Sequence, residues 1–235
     1  MSYLVQGGVT PDNSVTLAKL APGTDGNIIS FDADGNPVAV ATGSDGEVLT
    51  SAGAGQPPAF EAASSGAFEF VSTAALTTAT SVEVNNFVAG YDYIVVFENI
   101  GLTTDNQQLW CRFSDDAGSS FESGSDDYEW AMQLDGSRYA VTGDCEIKIT
   151  SSHGNDSNFQ GSIEITFINP NDSSEKTMCI WHGFYMSDDV AGKAVQGGGS
   201  FKQGTDAVED VQFLWSGGST FKAQGDITVW RRKRS

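Results

Sequence analysis

A twenty-residue repeat near the N-terminus constrains this chain more than any other feature. Residues 23–30 (GTDGNIIS) are echoed by residues 43–50 (GSDGEVLT), and residues 35–40 (GNPVAV) by residues 55–60 (GQPPAF). Each unit has room for one strand pair and a turn, which is too little to bury an apolar face of its own. Copies of the same chain are the nearest source of the missing surface. The repeat therefore predicts a stalk or connector in an oligomer, and not an enzyme.

Turn signals and short apolar pairs alternate within the repeat. The Asp-Gly dipeptides at residues 25–26, 34–35 and 45–46 predict tight turns, and the aliphatic pairs between them predict short strands. These pairs have no partners nearby in sequence, and burying each side chain is worth roughly 1.5–3 kcal/mol. We predict that four side chains make the contacts between chains: Ile28, Ile29, Val48 and Leu49.

The repeat separates two other regions of different composition. Residues 1–22 combine a turn-rich lead with residues 15–21, which are predicted to make a short helix or turn before Pro22. Residues 61–66 (EAASSG) are small and flexible, and predict the end of a stalk that covers residues 23–66. Residues 67–235 then form a separate C-terminal domain.

The C-terminal domain consists of strand-length apolar runs with turn signals between them. Many alternate cleanly, as where Ile163, Ile165 and Phe167 are separated by Glu164 and Thr166. The predicted strands are residues 68–71, 82–87, 91–98, 107–113, 128–134, 145–150, 159–168, 177–185, 194–201, 208–215 and 221–230. So many short strands predict an all-β fold, a β-sandwich of which the jelly roll is the commonest form.

The net charge limits the partners of the chain. The formal charge is −19, and both regions share the excess of acids. Such an acidic surface repels phosphate backbones and anionic lipid. We therefore expect no nucleic-acid partner and no membrane insertion. No apolar run has the length of a membrane span, and the first residues lack the features of a signal peptide. We therefore expect synthesis in the cytoplasm without export.

Few residues are suited to catalysis or to metal binding. The three cysteines, Cys111, Cys145 and Cys179, lie in strand-like runs without zinc spacing, and predict reduced core thiols. His153 lies in a polar loop and is predicted to be exposed, whereas His182 alternates with apolar residues and is predicted to be in the core. Without a nucleophile or a cofactor motif, the sequence predicts no enzyme and no cofactor.

Pairs of acidic residues are the sharpest remaining polar signals. They are Asp115-Asp116, Asp126-Asp127, Asp188-Asp189 and Glu209-Asp210. Loop carboxylates suit calcium, but the spacing of an EF-hand is absent, and adjacent aspartates usually face water. The sequence therefore predicts no metal site.

One acidic pair stands beside two aromatic residues, and this combination suits a sugar. Aromatic rings stack on sugar rings, and carboxylates bind sugar hydroxyl groups. Asp126, Asp127, Tyr128 and Trp130 are therefore the candidate ligand-binding residues. The alternative is that Trp130 belongs to the core with Tyr128 beside it, because aromatic residues in strands are mostly buried. The loops at residues 151–158 and 186–192 are equally open to ligand contact.

Several segments resemble bacteriophage tail-fibre and receptor-binding proteins. Residues 15–21 (VTLAKLA) are similar to segments common in fibre shafts, and residues 43–53 with residues 57–60 are similar to the short unit before a fibre's globular tip. Residues 90–97 (GYDYIVVF), followed by residues 109–121, resemble a pattern of phage tip domains. The closing GDITVW at residues 225–230 resembles the last strand of such domains.

The resemblance implies a homotrimer in a virion. Three chains would share the shaft, each would contribute a jelly-roll-like β-sandwich to the tip, and the N-terminal segment would attach to other virion proteins. The implied function is non-catalytic recognition of a bacterial surface, with a glycan as the receptor and with avidity from three tips. The alternatives are a head fibre or capsid decoration protein, because two repeats make only a short shaft, and a cellular lectin-like adhesin.

Overall fold

The computed structural model describes residues 23–63, 68–156, 160–202, 204 and 206–234. The attachment segment predicted at residues 1–22 lies outside these ranges, as do residues 64–66 of the predicted 61–66 linker. The chain divides into two compact units, residues 1–64 and residues 65–235. Among the residues described, no helix is long and apolar enough to cross a membrane.

Each sequence repeat of the N-terminal unit forms one β-hairpin. Strand β1 (Ile28–Phe31) pairs antiparallel with β2 (Pro37–Val40), and β3 (Glu47–Thr50) pairs antiparallel with β4 (Ala59–Ala62). Each repeat unit therefore corresponds to one hairpin, which pairs its own two strands and contains no second layer.

The predicted Asp-Gly turns are confirmed. Gly26, Gly35 and Gly46 have φ of 78°, 80° and 85°, a region that a residue without Cβ enters freely. In the β1–β2 loop the carboxylate of Asp32 accepts the backbone N–H groups of Asn36 at 2.8 Å and Asp34 at 2.9 Å. These hydrogen bonds, led by that from Asn36, lower the pKa of Asp32. The loop is therefore closed by its own side chain.

The described residues of the C-terminal unit form twelve strands in two antiparallel sheets. The strands are β5 (Glu69–Ala75), β6 (Ser81–Val84), β7 (Tyr91–Ile100), β8 (Leu109–Ser114), β9 (Tyr128–Leu134), β10 (Ser137–Asp144), β11 (Ile147–Lys148), β12 (Gly161–Ile168), β13 (Met178–Met186), β14 (Gly192–Phe201), β15 (Asp210–Trp215) and β16 (Asp226–Lys233). The eight-stranded sheet has the order β10-β9-β14-β13-β12-β7-β16-β5, and the four-stranded sheet the order β11-β8-β15-β6. The predicted all-β class is confirmed.

Aromatic side chains from both sheets meet in a common core. Phe97 of β7 lies edge-on to Phe213 of β15, with ring centroids 4.9 Å apart, and Phe113 of β8 lies 5.9 Å from Phe167 of β12. All four are buried. The alternation seen in the sequence explains the arrangement, since Ile163, Ile165 and Phe167 of β12 all point into this core.

Each strand predicted in the C-terminal domain has a counterpart, and β10 is the strand that sequence reasoning missed. Its residues are mostly exposed, so the apolar signal is weak. A turn signal was nevertheless present, because β9 and β10 are joined by Asp135 and Gly136, which have φ of 46° and 84°. Positive φ at both positions is the geometry of a two-residue hairpin turn, for which Asp-Gly is typical.

Candidate functional site

The predicted sugar-stacking residue Tyr128 is in the core. Its side chain is fully buried, and its ring lies edge-on to Phe113 at 5.6 Å. The hydroxyl group donates to the carbonyl oxygen of Glu122 at 3.1 Å and accepts the backbone N–H of Phe113 at 2.8 Å. Burial raises the pKa of this phenol well above its ordinary value. No face of the ring is open to a sugar, so the predicted role of Tyr128 is wrong.

Trp130 also points inward, as the alternative interpretation held. Only 6% of the residue is exposed. Its indole N–H donates to the carboxylate of Asp144 at 3.1 Å, and the ammonium group of Lys148 lies 5.7 Å from the ring centroid. The indole therefore serves the packing of the sheet and the ion pairs around Asp144.

The two aspartates of the same loop have separate structural contacts. Asp127 is buried, and its carboxylate accepts the backbone N–H of Gly124, which closes the turn before β9. Asp126 is exposed and pairs with Lys202, which also donates to the carbonyl oxygen of Thr142 at 2.6 Å. The four predicted ligand-binding residues thus do not form one surface.

The two histidines are placed the opposite way round from the predictions. His153 is fully buried, and its Nδ1 lies 3.1 Å from the carbonyl oxygen of Gly154. Burial lowers its pKa to about 4. His182 is exposed on the outer face of the eight-stranded sheet. It does share that face with Ile180 and Phe184, but alternation shows only which residues face together, and not which side is the core.

In two of the acidic pairs, one carboxylate is occupied by hydrogen bonds that shape the structure. Asp116 accepts the backbone N–H of Ser120 at 2.9 Å and the hydroxyl groups of Ser120 and Ser114, and these bonds lower its pKa. Asp210 is buried and accepts the backbone N–H of Asn86 at 2.7 Å. These carboxylates therefore hold backbone segments in place through their hydrogen bonds.

A further cluster, Asp144, Cys145 and Glu146, brings three metal-ligand atoms within 4.8 Å of one another. Basic side chains already balance it, since Lys148 lies 3.1 Å from Asp144 and Arg112 lies 3.3 Å from Glu146. The arrangement is therefore an ion-pair network at the edge of the core. Of the three cysteines, which are all free thiols, Cys111 and Cys179 are buried as predicted, and Cys145 is only partly so.

The outer face of the eight-stranded sheet carries a group of exposed polar side chains. The strand register aligns Arg138, Gln133, Gln196 and His182 across β10, β9, β14 and β13. The amide of Gln196 donates to that of Gln133 at 2.9 Å. These four residues, which we call the polar row, line a shallow cavity of about 670 Å³. A sequence cannot show this row, because only the register brings the four strands together.

Apolar side chains of the stalk are exposed, as their prediction as contact residues requires. The exposed fraction is 64% for Ile29, 45% for both Val48 and Leu49, and 37% for Ile28. Phe31, which the prediction did not include, is 62% exposed. Its strand position, two residues from Ile29, puts both side chains on one face of the hairpin.

Comparisons of the chain with protein-family models, with curated proteins and with solved structures find no match. The resemblance to phage fibres therefore rests on the sequence segments quoted above.

Proposed function

We propose that this chain is a non-catalytic structural protein of a tailed-phage virion. In the proposed assembly, three copies share a stalk made of the β1–β2 and β3–β4 hairpins. The C-terminal unit, with jelly-roll-like connectivity, forms the tip that meets a glycan on the host surface. Residues 1–22 would attach the trimer to other virion proteins. The observation that carries this proposal is the recurrence of exposed apolar side chains at matching positions of two hairpins.

The matching positions are Ile28 with Val48 and Ile29 with Leu49. A two-stranded hairpin has no opposing layer, and is marginal in water by itself. Burying the exposed half of each of these apolar side chains would contribute about 1 kcal/mol of stability per side chain. Repeated at four positions in three copies, that burial is enough to hold a short stalk together.

Both faces of each hairpin contribute to this argument. Ile28 and Ile29 are adjacent in β1, so their side chains point to opposite faces. A dimer that covered one face would leave the other in water. Three chains wound around one another cover a hairpin from two sides, which favours a trimer over a simple face-to-face pair.

The structure of the C-terminal unit supports a binding role more than a catalytic one. His153 is buried between Tyr185 and Trp215, at centroid distances of 5.0 and 5.1 Å, so its ring is not presented to an open cleft. The polar row, by contrast, offers amide, imidazole and guanidinium groups of the kind that bind sugar hydroxyl groups. We therefore place glycan recognition on the polar row and not on the loop before β9.

The position of the protein on the particle tests this proposal against its alternative. Virions would be labelled with an antibody against residues 67–235 and viewed by electron microscopy. Label at the tail is expected for a receptor-binding fibre. Label over the head would favour a head fibre or capsid decoration protein, for which the same trimer would serve. Particles without label would contradict both.

A further inference from the structure

Strand β5 is an edge strand that lacks cover on both faces. It runs from Glu69 to Ala75 at the end of the eight-stranded sheet, and pairs with β16 alone. Glu69 is partly buried, and every other residue of the strand is exposed. Interior strand β7 shows the contrast, since its inward side chains Tyr93, Val95 and Phe97 are fully or almost fully buried. The four-stranded sheet therefore does not reach β5.

Two aromatic side chains meet on the outer face of this edge. Phe70 and Trp230 are cross-strand neighbours, with ring centroids 5.3 Å apart and an interplanar angle of 75°. Phe70 is 57% exposed and Trp230 is 37% exposed. The register extends the row to Ile94 on β7. Exposed aromatic clusters of this kind mark interaction surfaces.

We infer that this patch, made of Phe70, Trp230 and Ile94 and called the β5 patch, packs against neighbouring copies of the same chain. The inference rests on the proposed trimer, and adds a second contact to that of the stalk. It assigns the contact to one edge of the tip.

The length of the connecting chain limits where the three tips can go. β4 ends at Ala62 and β5 begins at Glu69, so six residues separate the two strands. The seven Cα–Cα steps from Ala62 to Glu69 span at most about 25 Å when fully extended. In the proposed trimer the three stalk ends lie together, so this covalent tether limits how far the first residue of each β5 can lie from its own stalk end. Strand β13, four strands away in the sheet, starts about 19 Å farther across.

Charge also favours a copy of this chain as the occupant. Each chain carries a formal charge of −19, so copies repel one another wherever acidic surfaces meet. The β5 patch itself carries no formal charge, and the charges next to it on the same face, Arg232 and Asp92, neutralise one another in an ion pair at 2.7 Å. Beside it lie Thr73 and Thr228, whose hydroxyl groups are 3.0 Å apart. Neutral surface of this kind lets acidic copies approach.

A bulge determines how the contact is made. Val229 pairs with Ser72 but Trp230 pairs with Phe70, so Val71 is an extra residue in β5. Bulges bend an edge and interrupt its ladder of hydrogen bonds, which hinders the addition of a further strand. The contact therefore runs through the side chains of the β5 patch, and not through backbone pairing.

The test compares two phenylalanines of the same sheet in the full chain. Phe70→Asp changes the β5 patch, and Phe184→Asp is its matched control. Phe184 is 54% exposed on the same outer face, but it lies on β13. Sedimentation equilibrium would give the concentration at which half of the chains are trimeric. We expect Phe70→Asp to raise that concentration at least about tenfold, and Phe184→Asp to change it by less than about twofold.

If the wild type is trimeric and both variants change the concentration for half-trimerisation equally, the inference is overturned. The stalk proposal would then still stand. A wild-type chain that is monomeric at every concentration would instead remove the proposed trimer itself. Far- and near-ultraviolet circular dichroism would show that each variant is folded. If Phe70→Asp fails that check, Phe70→Ser tests the same contact without adding a charge. Lost glycan binding with unchanged assembly would place a ligand on the patch, and would also overturn the inference.

Discussion

The imidazole of His153 lies parallel to the phenol ring of Tyr185, with ring centroids 5.0 Å apart and an interplanar angle of 15°. The hydroxyl group of Tyr185 accepts the backbone N–H of Ser151 at 3.0 Å, so the loop that carries His153 is fastened to the same ring. Trp215 closes the site edge-on at 5.1 Å. Such an enclosure removes the imidazole from bulk solvent, and this burial lowers the pKa of His153 and favours the neutral ring.

This enclosure makes the stability of the C-terminal unit depend on pH. The pKa of His153 is about 4 in the folded chain, against an ordinary value of 6.5. The unfolded chain therefore takes up the proton first as the pH falls. The contribution of His153 is complete above about pH 6.5, and is lost between there and about pH 4, by roughly 3 kcal/mol.

Urea unfolding of His153→Gln and wild type at pH 7 and pH 4.5 measures this dependence. We expect the free energy of unfolding of the variant to fall less over this interval than that of the wild type. His182→Gln is the control, because His182 is exposed, and it should keep the wild-type slope. Equal slopes for all three proteins would contradict the assignment.

Charge in the stalk should separate the chains without unfolding the tip. The double variant Ile28→Asp, Val48→Asp places carboxylates where the trimer buries apolar side chains. We expect a monomer by light scattering, with the thermal midpoint of the C-terminal unit unchanged. Val88→Asp is the matched control, because Val88 is 44% exposed and Val48 is 45% exposed. A double variant that stays trimeric would show that the hairpins do not hold the chains together.

Removing one hydroxyl group tests the structural role of Tyr128. Tyr128→Phe leaves the backbone N–H of Phe113 and the carbonyl oxygen of Glu122 without this partner. An unsatisfied buried group costs about 1–3 kcal/mol, so we expect the free energy of unfolding to fall by that amount. Urea titration measures the loss. An unchanged stability together with altered glycan binding would restore the ligand-binding role.

Alternation along single strands was enough to predict every described strand of the C-terminal unit except β10, because periodicity is a local property. It failed where the answer depends on what lies on the other side of a sheet. The exposed side of β13 carries Ile180 and Phe184, which composition alone would assign to a core. In the same way, the polar loop of His153 is drawn into the interior by bridges to Gln107 and Ser187, which lie far from it in sequence.

The candidate binding surface was beyond sequence reasoning for a related reason. Gln133 and Gln196 are 63 residues apart, and only the pairing of β9 with β14 brings their amides within 2.9 Å. Turn positions were easier to predict, because the positive φ at Gly35 and Gly46 is a local requirement that favours glycine. The sequence therefore predicted the strands and turns well. It predicted poorly which face of each strand is exposed, and function depends on those faces.

The polar row should bind sugar through its amides. Gln133→Ala and Gln196→Ala remove side chains that are exposed, so we expect the free energy of unfolding to change by less than about 0.5 kcal/mol. On a glycan array, any sugar that binds the wild type should bind each variant at least about tenfold more weakly. The control is Gln212→Ala on the four-stranded sheet, which should bind as the wild type does. Undiminished binding by both polar-row variants would move the site elsewhere.

The most direct test of the account is the molar mass of the intact chain in solution, measured by light scattering coupled to size-exclusion chromatography. The trimeric account predicts a mass three times the 24.9 kDa of one chain. It also predicts a return to 24.9 kDa for the Ile28→Asp, Val48→Asp variant. A wild-type mass of 24.9 kDa at every concentration would contradict the account.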